Sequence, residues 1–241
     1  MPHRRPDPPD AEIAWCIQLH LSYPEECLRY LRESYPRSRV VLIADGDAQS
    51  IPRYALLARE HRASLIPGEH LMRFETSHQY VSRLLEQAVA GPERYFFRID
   101  PDTRIWRRFS WLPELSCGFG TLETVTDLFK DRIRHPPNIQ GGCIGMTRDS
   151  AAAVLASGIL SYERCVLDAR AGWVRTRDCE SVADSGSMLD DFVISWALDA
   201  AGFPLFQHPE IGSYWRDPYP NSDLAFAVTH PHKEMARPPA A

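Results

Sequence analysis

The spacing of apolar residues divides the first hundred positions into alternating strands and helices. Ile13 to Leu19 is a near-continuous apolar run, as expected of a strand covered on both faces. Cys27, Leu28, Leu31 and Tyr35 then recur at helical spacing, and Ser22 with Glu25 three residues on has the form of a capping box. Val40 to Ala44 reads as a second strand ending in Asp45, Gly46 and Asp47. Pro52 to His61 reads as a short helix and Ser64 to Ile66 as a short strand. A longer helix starts at Ser77, carries Val81, Leu84, Leu85 and Ala88 on one face, and is stopped by Gly91 and Pro92. Tyr95, Phe96, Phe97 and Ile99 have the aromatic and β-branched character of a buried strand. This β-α-β-α order predicts a mostly parallel sheet flanked by helices, with ligands beyond the carboxyl ends of its strands.

Acidic residues collect at those ends. The strand from Tyr95 runs into Asp100-Pro101-Asp102, in which Pro101 fixes the backbone between two carboxylates. Residues i and i+2 of an extended segment point the same way. Two hard oxygen donors so placed suit Mg²⁺ or Mn²⁺ with room left for phosphate oxygens. Asp-Pro-Asp is also ordinary turn chemistry, so both readings stay open. No G-x-G-x-x-G follows the first strand and no G-x-x-x-x-G-K occurs, which removes the usual support for dinucleotide and P-loop sites.

The second half is less regular. Gly141 and Gly142 precede a short predicted strand, and a helix capped by Thr147 closes at Gly158. Paired glycines let a ligand approach the backbone, or else mark a turn or bulge. Asp190 to Phe203 reads as a helix with Val193, Trp196, Ala197 and Ala200 as its buried stripe, ended by Gly202 and Pro204. Its two leading acids either cap the helix or place Asp191 as a general base with Asp190 orienting the helix start or a substrate hydroxyl. His230 and His232 follow an apolar stretch and are surface residues or ligands to a borderline metal such as Mn²⁺. Trp106, Trp111, Trp173, Trp196 and Trp215 are core candidates, the last also a sugar-stacking edge beside Tyr214. Arg104, Arg107 and Arg108 face solvent or reach a phosphate.

Composition narrows the classes. With 27 basic against 32 acidic side chains and a net charge of −5, the chain has no basic block with which to bind nucleic acid. The cysteines at 16, 27, 117, 143, 165 and 179 form no C-x-x-C pair, as expected of reduced thiols in a cytoplasmic protein. No apolar run is long enough to span a bilayer, so any membrane contact is expected to be peripheral. The proline-rich ends at 1–11 and 234–241 are expected to be disordered tails.

Taken in order, these features are an apolar strand to Asp-Gly-Asp, an apolar strand to D-x-D, a glycine pair, an acidic pair opening a helix, and a late histidine. The series resembles the nucleotide-sugar glycosyltransferases of the A-type fold, over Ile13 to Lys233. The resemblance implies a single Rossmann-like A-type domain over 12–233, with a nucleotide-binding half at 12–103 and an acceptor-binding half at 104–233. It implies that Asp100 and Asp102 hold Mn²⁺ or Mg²⁺ against the donor diphosphate, with His230 or His232 as a further ligand. It maps nucleobase contact to Asp45 or Asp47, donor contact to Asp100, Gly141 and Gly142, and the base of an inverting enzyme to Asp191 beside Asp190. The donor expected first is a UDP-sugar; the acceptor hydroxyl belongs to a glycan, a lipid-linked sugar or a small molecule. The Q-x-x-R-W signature of processive synthases is absent, which implies single addition. Two other classes remain. A nucleotidyltransferase generally carries a glycine-rich loop with Lys or Arg after the first strand, where this chain has HLSYPEE. A non-catalytic binding module on the same fold would not need carboxylates at both metal and base positions.

Overall fold

The computed structural model describes residues 3–20, 22–46, 50–71, 76–128, 131–164, 190–213 and 225–232, with side chains for all of these except 124–128 and 131–136. Its centre is a seven-stranded sheet. Strands β2 (Ile13–Leu19), β3 (Arg39–Asp45), β4 (Ser64–Gly68) and β5 (Tyr95–Ile99) pair in parallel in the order β5-β2-β3-β4. Beyond β5 the sheet continues antiparallel through β9 (Asp131–Thr147) to β8 (Gly118–Leu128), and β10 (Leu205–Gln207) adds a parallel edge. The arrangement is mixed α/β with a mostly parallel sheet, a Rossmann-like domain.

Alternation along the strands explains why helices cover both faces. Ile13, Trp15, Ile17 and Leu19 of β2, with Val40, Leu42 and Ala44 of β3, pack with Cys27, Leu28 and Leu31 of α1 (Glu25–Ser34) and Tyr54, Leu57 and Ala58 of α2 (Ile51–Glu60). Ala14, Cys16, Val41, Ile43 and Phe96 point the other way. They meet Tyr80, Val81, Leu84, Leu85 and Ala88 of α3 (Ser77–Ala90), Ala151 and Val154 of α4 (Arg148–Ser157), and the apolar residues of α5 (Asp190–Ala200). On the first face Trp15 stacks on Phe97 at 4.5 Å, and Phe97 continues onto Phe109 at 5.1 Å and edge-on to Phe119 at 5.5 Å. Side chains of this kind, fully withdrawn from water, contribute about 1.5–3 kcal/mol each.

Helix boundaries follow local chemistry in most places. The Thr147 side chain accepts from the Ser150 amide, and Gly158 closes α4 with a φ of 66°. The expected capping box of α1 does not form. Pro24 occupies the cap, and the Ser22 backbone is instead bound by the Tyr54 hydroxyl, which accepts from its amide at 3.3 Å and donates to its carbonyl at 3.1 Å. In α5 the expected stripe is too narrow: Phe192 through Leu198 are all buried, while Ala200 is exposed, so the helix is sunk between β9, α3 and α4.

The stretch expected as an N-terminal tail carries a strand, β1 (Arg4–Pro6), paired antiparallel with β7 (Trp111–Pro113). Arg108 fastens the same stretch by ion pairs to Asp10 and, more loosely, to Asp7. Gly141 and Gly142 do not precede a strand but lie inside β9. There the pairing with β8 slips between Gly120–Ile144 and Leu122–Ile139, so the pair marks a bulge. A small third sheet orders β11 (Ile211–Ser213), β12 (Val228–His230) and β6 (Arg104–Ile105), and it delivers His230 to the mouth of β5. Cys16, Cys27, Cys117 and Cys143 are buried free thiols. Among the described residues no helix is long and apolar enough to cross a membrane.

Candidate functional site

At the carboxyl end of β5 the chain turns at Asp100-Pro101-Asp102, with the Thr103 amide donating to the Asp100 carbonyl at 3.0 Å. The tripeptide is a turn, and the turn directs its acids at one imidazole. His230 Nε2 lies 3.1 Å from Asp102 Oδ1 and 3.4 Å from Asp100 Oδ2. One ligand atom from each of the three residues falls within 4.8 Å of the others. Octahedral ligands about 2.1 Å from a divalent ion sit about 3.0 Å apart along an edge, so these contacts have the scale of a coordination shell. The ring of His230 is oriented from behind, its Nδ1 3.3 Å from Ser213 Oγ, as metal-ligating histidines usually are. A Cβ built on Gly142 would lie 2.0 Å from His230 Cγ. The missing Cβ of Gly142 therefore makes room for the ring of His230.

His232 takes a different part. Its amide donates to the Asp102 carbonyl at 2.8 Å and its Nε2 lies 2.7 Å from Thr229 Oγ1, while the ring packs edge-on to Trp106. It fastens the turn from outside the cluster. Two carboxylates and one imidazole form a hard to borderline donor set that fits Mn²⁺ or Mg²⁺.

The residue that unites the site was not among the candidates. Arg98, 3% exposed, lies in β5 beneath α3 and α5. Its NH1 is 2.9 Å from Asp100 Oδ1 and its NH2 2.7 Å from Asp190 Oδ2. Its remaining donors go to the Gln18 amide oxygen, at 3.0 Å from Nε, and to the Gly141 carbonyl. Gln18 also accepts from the Tyr80 hydroxyl at 2.5 Å. Burial opposes the guanidinium charge, but Asp100 and Asp190 more than offset it and hold Arg98 above its ordinary range. One cation thus couples the D-x-D to the first turn of α5. The signal was present in the sequence as an arginine inside YFFRI and a glutamine inside IAWCIQL, polar residues in strands that are otherwise apolar.

The acidic pair divides its roles. Asp190 is buried against Arg98, whereas Asp191 is only partly buried. A Cβ added to Gly141 would meet Asp191 Cβ at 3.4 Å and Oδ2 at 3.5 Å, ordinary contact distances. Gly141 therefore borders Asp191 without being sterically required there. Burial first, and the neighbouring Asp190 second, push the Asp191 carboxyl up to about 8. Asp190 is raised in the same direction by burial. Glu123 is pushed up to about 7 by burial and adds to the negative field on Asp191.

Asp45 is not open to a base. It is fully buried; its Oδ1 accepts from the Leu71 amide at 2.8 Å and its Oδ2 lies 2.5 Å from His70 Nδ1. Asp47 lies outside the described residues, as do Trp173, Trp215 and Tyr214. Arg107 and Arg108 are committed to Glu210 and Asp10, and Arg104 lies over the rings of Tyr30 and Trp106.

No family model matches this chain, and no curated protein matches it. A solved structure of a cytidylyltransferase from Leptospira borgpetersenii serovar Hardjo-bovis (strain JB197) is similar to it over 82% of this chain and 76% of that one, at 12% identity and a TM-score of 0.46.

Proposed function

We propose that this chain is a metal-dependent glycosyltransferase that moves a sugar from a nucleoside-diphosphate sugar, a UDP-sugar first, to an acceptor hydroxyl with inversion. One observation carries the reading: a three-residue donor set at the end of a sheet strand shares a single buried arginine with the acidic pair that opens α5. Asp100, Asp102 and His230 would hold Mn²⁺ or Mg²⁺. When bound there, the cation supplies charge neutralisation for the departing diphosphate.

The chain's own residues do the rest. Arg98 fixes Asp100 from below, so that one carboxylate oxygen is spoken for and the other faces His230. It also pins Asp190, leaving Asp191 as the acid free to take a role in proton transfer. In this role Asp191 accepts the proton of the attacking hydroxyl. Its raised affinity for a proton suits it, because a base works best with a pKa near the working pH. Nucleophile and leaving group on opposite faces of the sugar give inversion.

The test is donor hydrolysis and transfer by the wild type and by Asp191→Asn. Turnover should fall about 10²–10⁴-fold in the variant while metal-dependent donor binding is kept. Unchanged turnover would remove Asp191 as the base. Consumption of a nucleoside triphosphate with pyrophosphate release would replace the reading with nucleotidyl transfer. Binding of sugar without turnover of any donor would favour a non-catalytic module.

A further inference from the structure

A second group of ligands stands at the same edge of the sheet, on the far side of β2 from Asp100. His20 follows β2, Asp45 ends β3, and His70 follows β4, and one ligand atom from each lies within 4.8 Å of the others. The two imidazoles stack at 4.5 Å with an interplanar angle of 18°. Both are turned by Asp45: His70 Nδ1 lies 2.5 Å from its carboxylate and His20 Nδ1 2.9 Å from its carbonyl oxygen. The Leu71 amide holds the other carboxylate oxygen.

The chain is shaped to bring these groups together. Gly46 has a φ of 74°, and a Cβ there would lie 2.4 Å from His70 Cβ and 2.9 Å from its backbone nitrogen. Only glycine permits that approach at that backbone angle. The Gly46 amide then donates to the Gly68 carbonyl at 3.0 Å, closing the end of β4 onto β3.

We infer that His20, Asp45 and His70 form a second metal site, selective for a borderline transition ion of the Zn²⁺ class. Two imidazoles with one carboxylate are a donor set for such ions, whereas Mg²⁺ takes oxygen ligands and leaves it aside. The ion replaces the proton held between Asp45 Oδ2 and His70 Nδ1, which is released to solvent. Tetrahedral ligands about 2.0–2.1 Å from Zn²⁺ stand about 3.3 Å apart, so Asp45 Oδ2 and His70 Nδ1, 2.5 Å apart without the ion, must part slightly to admit it, and His20, exposed at its strand end, is the ligand able to move. Its exposure also leaves a coordination position open to water or to an anionic ligand. The site joins the ends of three parallel strands and does not depend on the transferase reading.

The test uses Co²⁺ alone as a spectroscopic probe, in Asp102→Asn protein so that the first cluster is disabled. The inference expects one equivalent bound with a ligand-field band in the visible, displaced by Zn²⁺ and not by excess Mg²⁺, and lost in both His20→Ala and His70→Ala added to that background. Circular dichroism on these two variants, whose side chains are exposed or half-buried, checks that the fold is kept. Absence of Co²⁺ binding in the Asp102→Asn protein would overturn the inference. So would binding that persists undiminished in the folded histidine variants.

Discussion

The two sides of the sheet bring chemistry to the same edge in different ways. On the parallel side each strand delivers an acid simply by ending: β3 runs into Asp45 and β5 into Asp100 and Asp102. On the antiparallel side the partners arrive from much later in the chain, His230 on a short strand of a separate sheet and Asp190 on the first turn of a sunken helix. The parallel side is held mainly by apolar contact, Trp15 on Phe97 and Phe109. The join to the antiparallel side adds to its strand ladder and apolar contacts a buried ionic link that runs through Arg98. A site built across such a join depends on a few polar residues for its geometry, so its assembly and its stability are coupled.

Arg98→Met breaks the comparison most directly. It leaves Asp100 and Asp190 facing each other without their common cation, and removing one member of a buried ionic network costs about 3–5 kcal/mol. Urea denaturation should show a loss of this size together with loss of divalent-cation binding. A loss below about 1 kcal/mol would mean that the ionic link through Arg98 contributes little to holding the two sides.

Gly142→Ala against Gly141→Ala sharpens the comparison within one bulge. At Gly142 a methyl group meets the His230 ring, and overpacking of this kind costs about 1–3 kcal/mol. At Gly141 the same methyl meets Asp191 at ordinary contact distances, and the change should stay within about 1 kcal/mol. Thermal unfolding of both variants, with and without Mn²⁺, separates them, and only Gly142→Ala should weaken the effect of the ion.

The smallest expected effect is electrostatic. Below about pH 4 Asp191 is protonated whether the chain is folded or not and contributes nothing to pH dependence. As pH rises from there towards 8 the unfolded chain ionises first, so this carboxyl progressively lowers folding stability. His208 works in the opposite sense: burial lowers it to about 4, so acid pulls its proton uptake towards the unfolded state. The difference between wild type and Asp191→Asn isolates the carboxyl. The variant should lose less stability than wild type between pH 5 and 8 in thermal scans; parallel curves would contradict the shift.

Much of the parallel side was legible because its signals are local. Period and composition placed the strands at 13–19, 40–44 and 95–99 and the helix from Ser77, since each buries a face whose pattern can be read in a few residues. The failures were of two kinds. Ser22 has the right spacing for a cap, but Pro24 takes the position and Tyr54 takes the serine's backbone, a contact made across the fold. Asp45 reads as a nucleobase contact because it ends a strand, yet tertiary packing buries its carboxylate against the Leu71 amide and the His70 ring. Arg98 and Gln18 were passed over as incidental polar residues in apolar strands. A charge that a strand buries needs partners, and its partners, Asp100 and Asp190, are the acids the sequence reading had singled out for other reasons.

The most direct test of the central claim is calorimetric titration of the protein with nucleoside diphosphates and nucleotide sugars, in Mn²⁺ and in excess chelator, for wild type and Asp102→Asn. Asp102 sits 4% exposed against His230 with no other acid in the turn so deeply placed, so the account predicts binding of one nucleotide that needs Mn²⁺ and vanishes in the variant. Nucleotide binding of equal strength in chelator, or undiminished in Asp102→Asn, would contradict it.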